Sequence, residues 1–292
     1  MAEGLFVGLS TVDLGYLVAE YPDEDDKVTA LEQATAAGGP ATNAAVAFAF
    51  LAGGQSRLAT AVGRHWMAGL IRDDLARHQV ELVDLAPDQD GGPPASSIIV
   101  SGKTASRTVV SLDATRVQAP APADPAALLG EAGIVLVDGH QAEPCAAAAA
   151  AARAAGVPVV FDGGHWKPTH AELLRHIDIA ICSSRYAPPG TADVDETHQY
   201  LHDQGVRCAA TTAGEGPIRW STRRNGGVVK PPSVTALDTL GAGDIFHGAF
   251  CHYYLRDRDF PRALENAAAV AAASCERFGT RAWMASGRER FA

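Results

Sequence analysis

Short apolar runs recur along the chain, at 5–9, 57–62, 134–137, 157–161, 177–182 and 206–211. They are continuous rather than alternating, the pattern of strands covered on both faces, as in a parallel sheet. Helix-length segments lie between them, notably at 42–52, 65–78, 144–155 and 193–203. Strand and helix alternating in this way predict right-handed crossovers and a mostly parallel, doubly wound α/β sheet with helices on both faces. Two further helices, at 241–256 and 260–277, follow without a clear strand between them, so the sheet is expected to be finished by about residue 235.

Two stretches break this rhythm. Residues 13–36 and 96–111 carry shorter, half-polar strand signals, the second with a turn near Ser101 and Gly102. They are expected to form a small β-sheet lid outside the main sheet. The chain would enter it through a hinge at 88–94, where Gly91, Gly92, Pro93 and Pro94 cluster, and return through 119–125. The alanine run at 146–152 reads as a smooth helix face for close packing. The expected organisation is a single domain, 1–292, with a two-segment lid.

Composition narrows the function classes. With 47% hydrophobic and 20% charged residues, the 292-residue chain can bury a large core, which excludes disorder. A net charge of -10 argues against a nucleic-acid partner, so any phosphate site has to be built locally from amides and a few arginines. The five cysteines are widely spaced with no Cys-x-x-Cys pair, which suggests neither a disulfide framework nor a zinc knuckle. A reducing, cytoplasmic setting is expected, and no apolar run is long enough to predict a membrane span.

Polar or glycine-rich turns fall at the carboxyl ends of the predicted strands, where open α/β sheets bind ligands. They include Asp13, the Gly38 to Asn43 turn, His140 with Gln141, Asp162, Ser183 to Arg185, and Thr212 to Gly214. The sharpest signal is Asp238-Thr239-Leu240-Gly241-Ala242-Gly243-Asp244, which runs directly into an apolar helix. Glycines let the backbone turn tightly and leave the amides of Gly241 to Asp244 unpaired at a helix start, an anion hole. An Asp there competes with the anion for the same donors unless its carboxylate has a task; the alternative is an N-capping Asp on a glycine-hinged helix. With an ordinary acidity, near ~3.9, it would be ionised at pH 7 and able to accept a hydroxyl proton. Two look-alikes fail. Gly102-Lys103-Thr104 lacks the first glycine of a phosphate-binding loop, and Gly241-x-Gly243 lacks the third glycine of a dinucleotide fingerprint. The ten histidines show no metal-ligand spacing.

These residues resemble the ribokinase-like carbohydrate kinases, the PfkB family. Asp238 to Phe250 is similar to the family's C-terminal signature, and Gly38 to Ala45 with Leu58 to Gly63 is similar to its N-terminal one. The resemblance spans essentially the whole chain and implies a three-layer α/β/α sandwich. It implies Asp244 as catalytic base, with Gly241, Ala242 and Gly243 receiving the γ-phosphate. Asp13, Gly39 and Asn43 would hold sugar hydroxyls, joined by Arg107 from the lid and by His140. Ser183, Arg185, Thr212, Gly214 and Gly216 would lie along the nucleotide. ATP and Mg²⁺ are the implied cofactors, with K⁺ as a monovalent cation in some members; the metal ligands are not assigned. The lid would exclude water and offer its edge for a homodimer.

The departures matter as well. Where the family carries Asn-x-x-Glu, this chain has Ser183-Ser184-Arg185-Tyr186, which puts that Glu's part in organising metal in question. The family's Thr-x-Gly-x-x-Gly appears as Thr212-Ala213-Gly214-Glu215-Gly216-Pro217. Ser106-Arg107-Thr108 is similar to the ketohexokinase branch and Phe246-His247-Gly248 to bacterial kinases of fructose-like sugars, so a small sugar of ketohexose type is expected. No arginine lies near His140 to serve a sulfonate, which disfavours sulfofructose. A nucleoside kinase, thinly supported by Tyr16 and Tyr21, a non-catalytic sugar or nucleotide sensor, and a glycosidase remain as alternatives.

Overall fold

The computed structural model describes residues 3–112, 114 and 117–291. The N-terminal part contains the strands β1 (Glu3–Val7), β2 (Thr11–Val18) and β3 (Glu32–Gly38), then helix α1 (Pro40–Ala52) and strand β4 (Ser56–Thr60). Next come α2 (Ala68–Arg77), β5 (Val80–Asp84), β6 (Ala95–Ser101) and β7 (Arg107–Ser111). The middle contains α3 (Pro125–Leu129), β8 (Ala132–Val137), α4 (Ala142–Ala154), β9 (Val159–Gly163), α5 (His170–Leu173), β10 (Ile179–Ser183) and α6 (Val194–Asp203). The last strands and α-helices are β11 (Cys208–Ala213), β12 (Gly216–Thr222), β13 (Gly226–Val229), α7 (Ala242–Asp257) and α8 (Phe260–Ser274), with short 3-10 turns at Ala282–Ser286 and Arg288–Phe291 after them.

The large sheet has nine strands in the order β13-β12-β11-β10-β9-β8-β1-β4-β5. All neighbours are parallel except β11–β12 and β12–β13. Every apolar run expected to be a strand is one, give or take a few residues at its ends. The reason shows in the side chains: Phe6, Ile134 and Leu136 point into a core under α1, α7 and α8, and Leu5, Val7, Val135 and Val137 into a second core under α4. Both faces are covered, so a polar residue has no place to alternate in. Strands β5, β12 and β13 carry no such run. They lie at or near the two edges, where polar residues are tolerated.

Several expected helix boundaries shift by one to three residues. Residues 65–67 are a turn leading into α2, α1 starts at Pro40 with Gly39 as its N-cap, and α8 stops at Ser274 rather than 277. Asp193, expected inside α6, caps it by accepting from the Glu196 amide at 2.9 Å.

A second sheet, ordered β3-β2-β6-β7, is mixed: β2 and β6 run parallel, the outer pairs antiparallel. It stands beside the carboxyl end of β1. There the large sheet changes direction, since β4 and β5 lie on one side of β1 and β8 to β13 on the other. Such a switch point opens a crevice in which helix starts and strand ends meet.

Helices α1 and α7 cross beneath that crevice at backbone contact. A Cβ on Gly248 of α7 would lie 2.1 Å from the carbonyl oxygen of Ala44 in α1. The crossing brings Asn43 and Asp244 together, so it sets the site as well as the core. Gly248→Ala is expected to cost about 1–3 kcal/mol, the price of overpacking, and to separate the two helices. Urea denaturation measures this, and an unchanged midpoint would contradict the close crossing.

Candidate active site

Asp244 lies in the first turn of α7, behind an N-cap glycine, Gly241, held at φ 67°. That left-handed turn is open to glycine at little cost. The first amide to bond back within the helix is that of Ile245, to the Gly241 carbonyl at 2.8 Å. The amides of Gly243 and Asp244 therefore stand at the open end of the helix dipole, as an anion site requires. Ala242 is partly occupied, its amide 3.4 Å from the Thr239 carbonyl oxygen.

The Asp244 carboxylate accepts from Asn43 Nδ2 at 2.8 Å. Burial, then the nearby Asp162 carboxylate and more weakly Asp13, push its pKa up to about 7, against the pull of Asn43 and His247. This corrects the expectation of an ordinary carboxylate. At neutral pH the group is poised between its two protonation states, the range in which a general base works best. Asp162, at the end of β9, is itself raised by burial although His247 Nδ1 lies 3.4 Å from its Oδ2. His247 also faces the carbonyls of Gly243 at 2.7 Å and Ile181 at 3.1 Å, tying the start of α7 to β10.

Opposite Asp244 stands Asp13 of β2, buried against the Gly38 backbone and accepting from Thr11 Oγ1 at 2.6 Å. Burial raises its pKa, offset in part by hydrogen bonds from Thr11 and Ser96 and by the charge of Arg281. A cavity of about 240 Å³ opens between Asp13, β3 and the Leu240 and Phe278 to Ala282 segments.

Asp13, Gly39, Asn43, Gly241, Ala242, Gly243 and Asp244 thus converge on one crevice. His140 stands at its far side. Its Nδ1 is 3.1 Å from Lys167 Nζ, and its charge acts on Asp162. Arg107 reaches across from β7 to donate to Thr239 Oγ1 at 2.5 Å, so it bridges the small sheet to the loop before α7. Ser183, Arg185, Thr212, Gly214 and Gly216 form a separate group beyond β10. There the Ser184 amide donates to the Thr212 carbonyl at 2.9 Å, and Gly214 turns the β11–β12 hairpin at φ 61°. Arg185 is exposed. Tyr186, standing where the family's Glu is expected, turns inward onto Phe161 and His170 and is 3% exposed. It offers no carboxylate to a metal.

Three residues of this region fall in none of the sequence motifs. Asp138 follows β8 and accepts from the amides of Leu9 (2.8 Å), Ala41 (3.2 Å) and His140 (2.8 Å), clamping the end of β1 to the start of α1. Its one signal is an acid directly after a buried central strand. Arg281, half-buried, and Asp74, buried, form an ion pair at 3.0 Å beside Asn43, which accepts from Arg281.

The profile of the pfkB family carbohydrate kinases matches residues 1–286. The chain belongs to that family. Family members are phosphotransferases with a hydroxyl acceptor. Over 284 residues the chain is 27% identical to an ATP-dependent ribose-1-phosphate kinase from Halopiger xanaduensis, covering 96% of this chain and 94% of that one. It is 30% identical to a deoxyribokinase from Salmonella typhi over 125 residues, spanning 38% of this chain and 41% of that protein. A solved structure from Agrobacterium tumefaciens, provisionally assigned as a ribokinase, superposes with a TM-score of 0.89 at 27% identity over 99% of this chain and 96% of that one. The ribokinase-like fold is therefore shown across the length of this pfkB-family chain.

Asp244 also writes a signature into stability. Its folded pKa, about 7, lies above the unfolded value, so the stabilisation it brings is present at low pH and is lost as pH rises through 7. Asp244→Asn is expected to gain stability relative to the unaltered chain between pH 5 and pH 8. Melting curves of both across that range test it; a difference that does not change with pH would show that the carboxylate is not raised.

Proposed function

We propose that this pfkB-family protein transfers the γ-phosphoryl group of ATP to a hydroxyl of a neutral monosaccharide, with Asp244 as general base. The observation that carries the reading is the placement of the Asp244 carboxylate inside the open first turn of α7, held there by the Asn43 amide at 2.8 Å. The hydroxyl proton passes to Asp244 as the sugar oxygen bonds to the γ-phosphorus. The bond from that phosphorus to the bridging oxygen breaks, and ADP leaves with the electron pair. The amides of Gly243 and Asp244 face the charge that moves onto the transferring group, so positioning and electrostatics do most of the work.

Asp13 and Asn43, with the Gly38 and Gly39 backbone, supply acceptors and donors for sugar hydroxyls. The buried carboxylate of Asp13 in the pocket wall favours an uncharged polyol. A ketohexose-like sugar is the first candidate, and ribose or deoxyribose, named in relatives, the second. Ser183, Arg185, Thr212, Gly214 and Gly216 line the proposed nucleotide path.

Oxygen donors at this end of the sheet suit Mg²⁺, yet the described residues contain no group of three metal-ligating side chains. Asp162 is the protein carboxylate that would hold an ion brought in with the phosphates. When bound, the ion would neutralise phosphate charge. The five free cysteines support a reducing, cytoplasmic setting. Among the described residues no helix is long and apolar enough to cross a membrane.

Asp244→Asn is expected to lower turnover by about 10²-fold or more with the fold intact, read by coupled ADP release over a panel of ketoses, pentoses, sugar phosphates and nucleosides. Unchanged turnover would remove the base assignment, and preference for a nucleoside or sugar phosphate would remove the neutral-sugar reading. The edge strand β7 exposes Val109 and Val110, with Leu112 just beyond it. Pairing of two such edges into a homodimer is expected by gel filtration, with Val110→Lys shifting it to monomer; a monomer at working concentration would contradict this.

A further inference from the structure

Arg281 follows α8 in the C-terminal segment, and its side chain is half-buried at the edge of the cavity. All five of its N–H bonds are committed. Nε donates to Asp74 Oδ2 at 3.2 Å, and Nη2 donates to the same oxygen at 3.0 Å and to the Ala37 carbonyl at 2.5 Å. Nη1 donates to Asn43 Oδ1 at 2.9 Å and Thr280 Oγ1 at 3.1 Å. Asp74 in turn accepts from the Ala37 amide at 3.1 Å. With every donor spent and its charge balanced by Asp74, this arginine has nothing left to offer a ligand.

What it does settle is the sense of the Asn43 amide. A guanidinium only donates, so the Asn43 oxygen must face it, and the Asn43 NH₂ is thereby turned toward Asp244, where it donates at 2.8 Å. With the amide reversed, its oxygen would face the Asp244 carboxylate, an arrangement that bonds only when Asp244 holds a proton. We propose that Arg281 is a positioning residue for phosphoryl transfer: it locks the Asn43 amide in the sense that presents Asp244 as an oriented, proton-accepting carboxylate. The proposal rests on the reading of Asp244 as the base. It also connects the β3 end of the small sheet, through the Ala37 carbonyl, to the same arginine that orders the reacting carboxylate.

The test uses Arg281→Met paired with Asp74→Asn, so that no buried carboxylate is stranded, alongside Arg281→Lys, which keeps the charge but not the planar fork. Asp244 is faced by Asn43 from α1, Asp162 from β9, Asp13 from β2 and His247 from its own helix; all four are unchanged in these variants. The double variant is expected to lose kcat by about 10- to 100-fold, the scale of a small misplacement, more than its sugar KM rises. The ascending limb of its kcat/KM profile is expected to move to higher pH. Arg281→Lys is expected to fall between it and the unaltered enzyme. A lower Tm with kcat and pH limb unmoved in both variants would mark Arg281 as a strut only and overturn the proposal. Asp244→Asn, measured in parallel, separates the claims. If it keeps full turnover, the base assignment fails; if it loses turnover while the double variant keeps rate and profile, only the Arg281 proposal fails.

Discussion

Asn43 and Asp244 lie 201 residues apart along the chain yet share a hydrogen bond, so the helices that carry them, α1 and α7, must cross at backbone contact. Only that distance lets a short side chain on α1 reach a short side chain on α7. The nine-stranded sheet, its two apolar cores and the glycine at the crossing can all be understood as holding these helices in register. A shift of one helix by a fraction of a turn would leave the carboxylate buried without its donor, and a buried charge without a partner is costly.

The same geometry explains the electrostatics. Asp244, Asp162 and Asp13 come from three different elements and would repel one another in any shared low-dielectric space. The fold accepts that cost where the crevice needs acceptors, and relieves it with His247 beside Asp162 and with hydrogen bonds from Asn43, Thr11 and Ser96. Arg281 carries the compensating cation, yet Asp74 cancels it locally. The pocket therefore presents hydrogen-bonding groups rather than a net positive field, in keeping with a chain of net charge -10.

Much of this was legible in the residues. Continuous apolar runs announced strands covered on both faces, and Asp238 to Asp244 announced an open helix start because glycine spacing and the following apolar helix are local features. The edge strands β5, β12 and β13 were hidden by their polar content. The acidity of Asp244 is hidden for a similar reason: the motif names the carboxylate but not the burial, nor Asp162 arriving from another strand. Arg281 left no pattern at all, since its partners Asp74 and Asn43 lie 207 and 238 residues away and its segment has no periodicity. Tyr186 shows the converse. A departure from a family motif looked like a lost metal ligand, and it is also a gained core aromatic, packed on Phe161.

The central claim is that Asp244 takes the proton of the sugar hydroxyl onto its own carboxylate, whose acidity the fold has moved close to neutrality. The most direct measurement is kcat/KM for the sugar acceptor as a function of pH at saturating ATP, in the unaltered enzyme and in Asp244→Asn. The account predicts an ascending limb with a midpoint near the raised value, about 7, that disappears in the variant together with most of the rate. A limb centred near the ordinary carboxylate value, ~4, or one that survives the substitution, would contradict it.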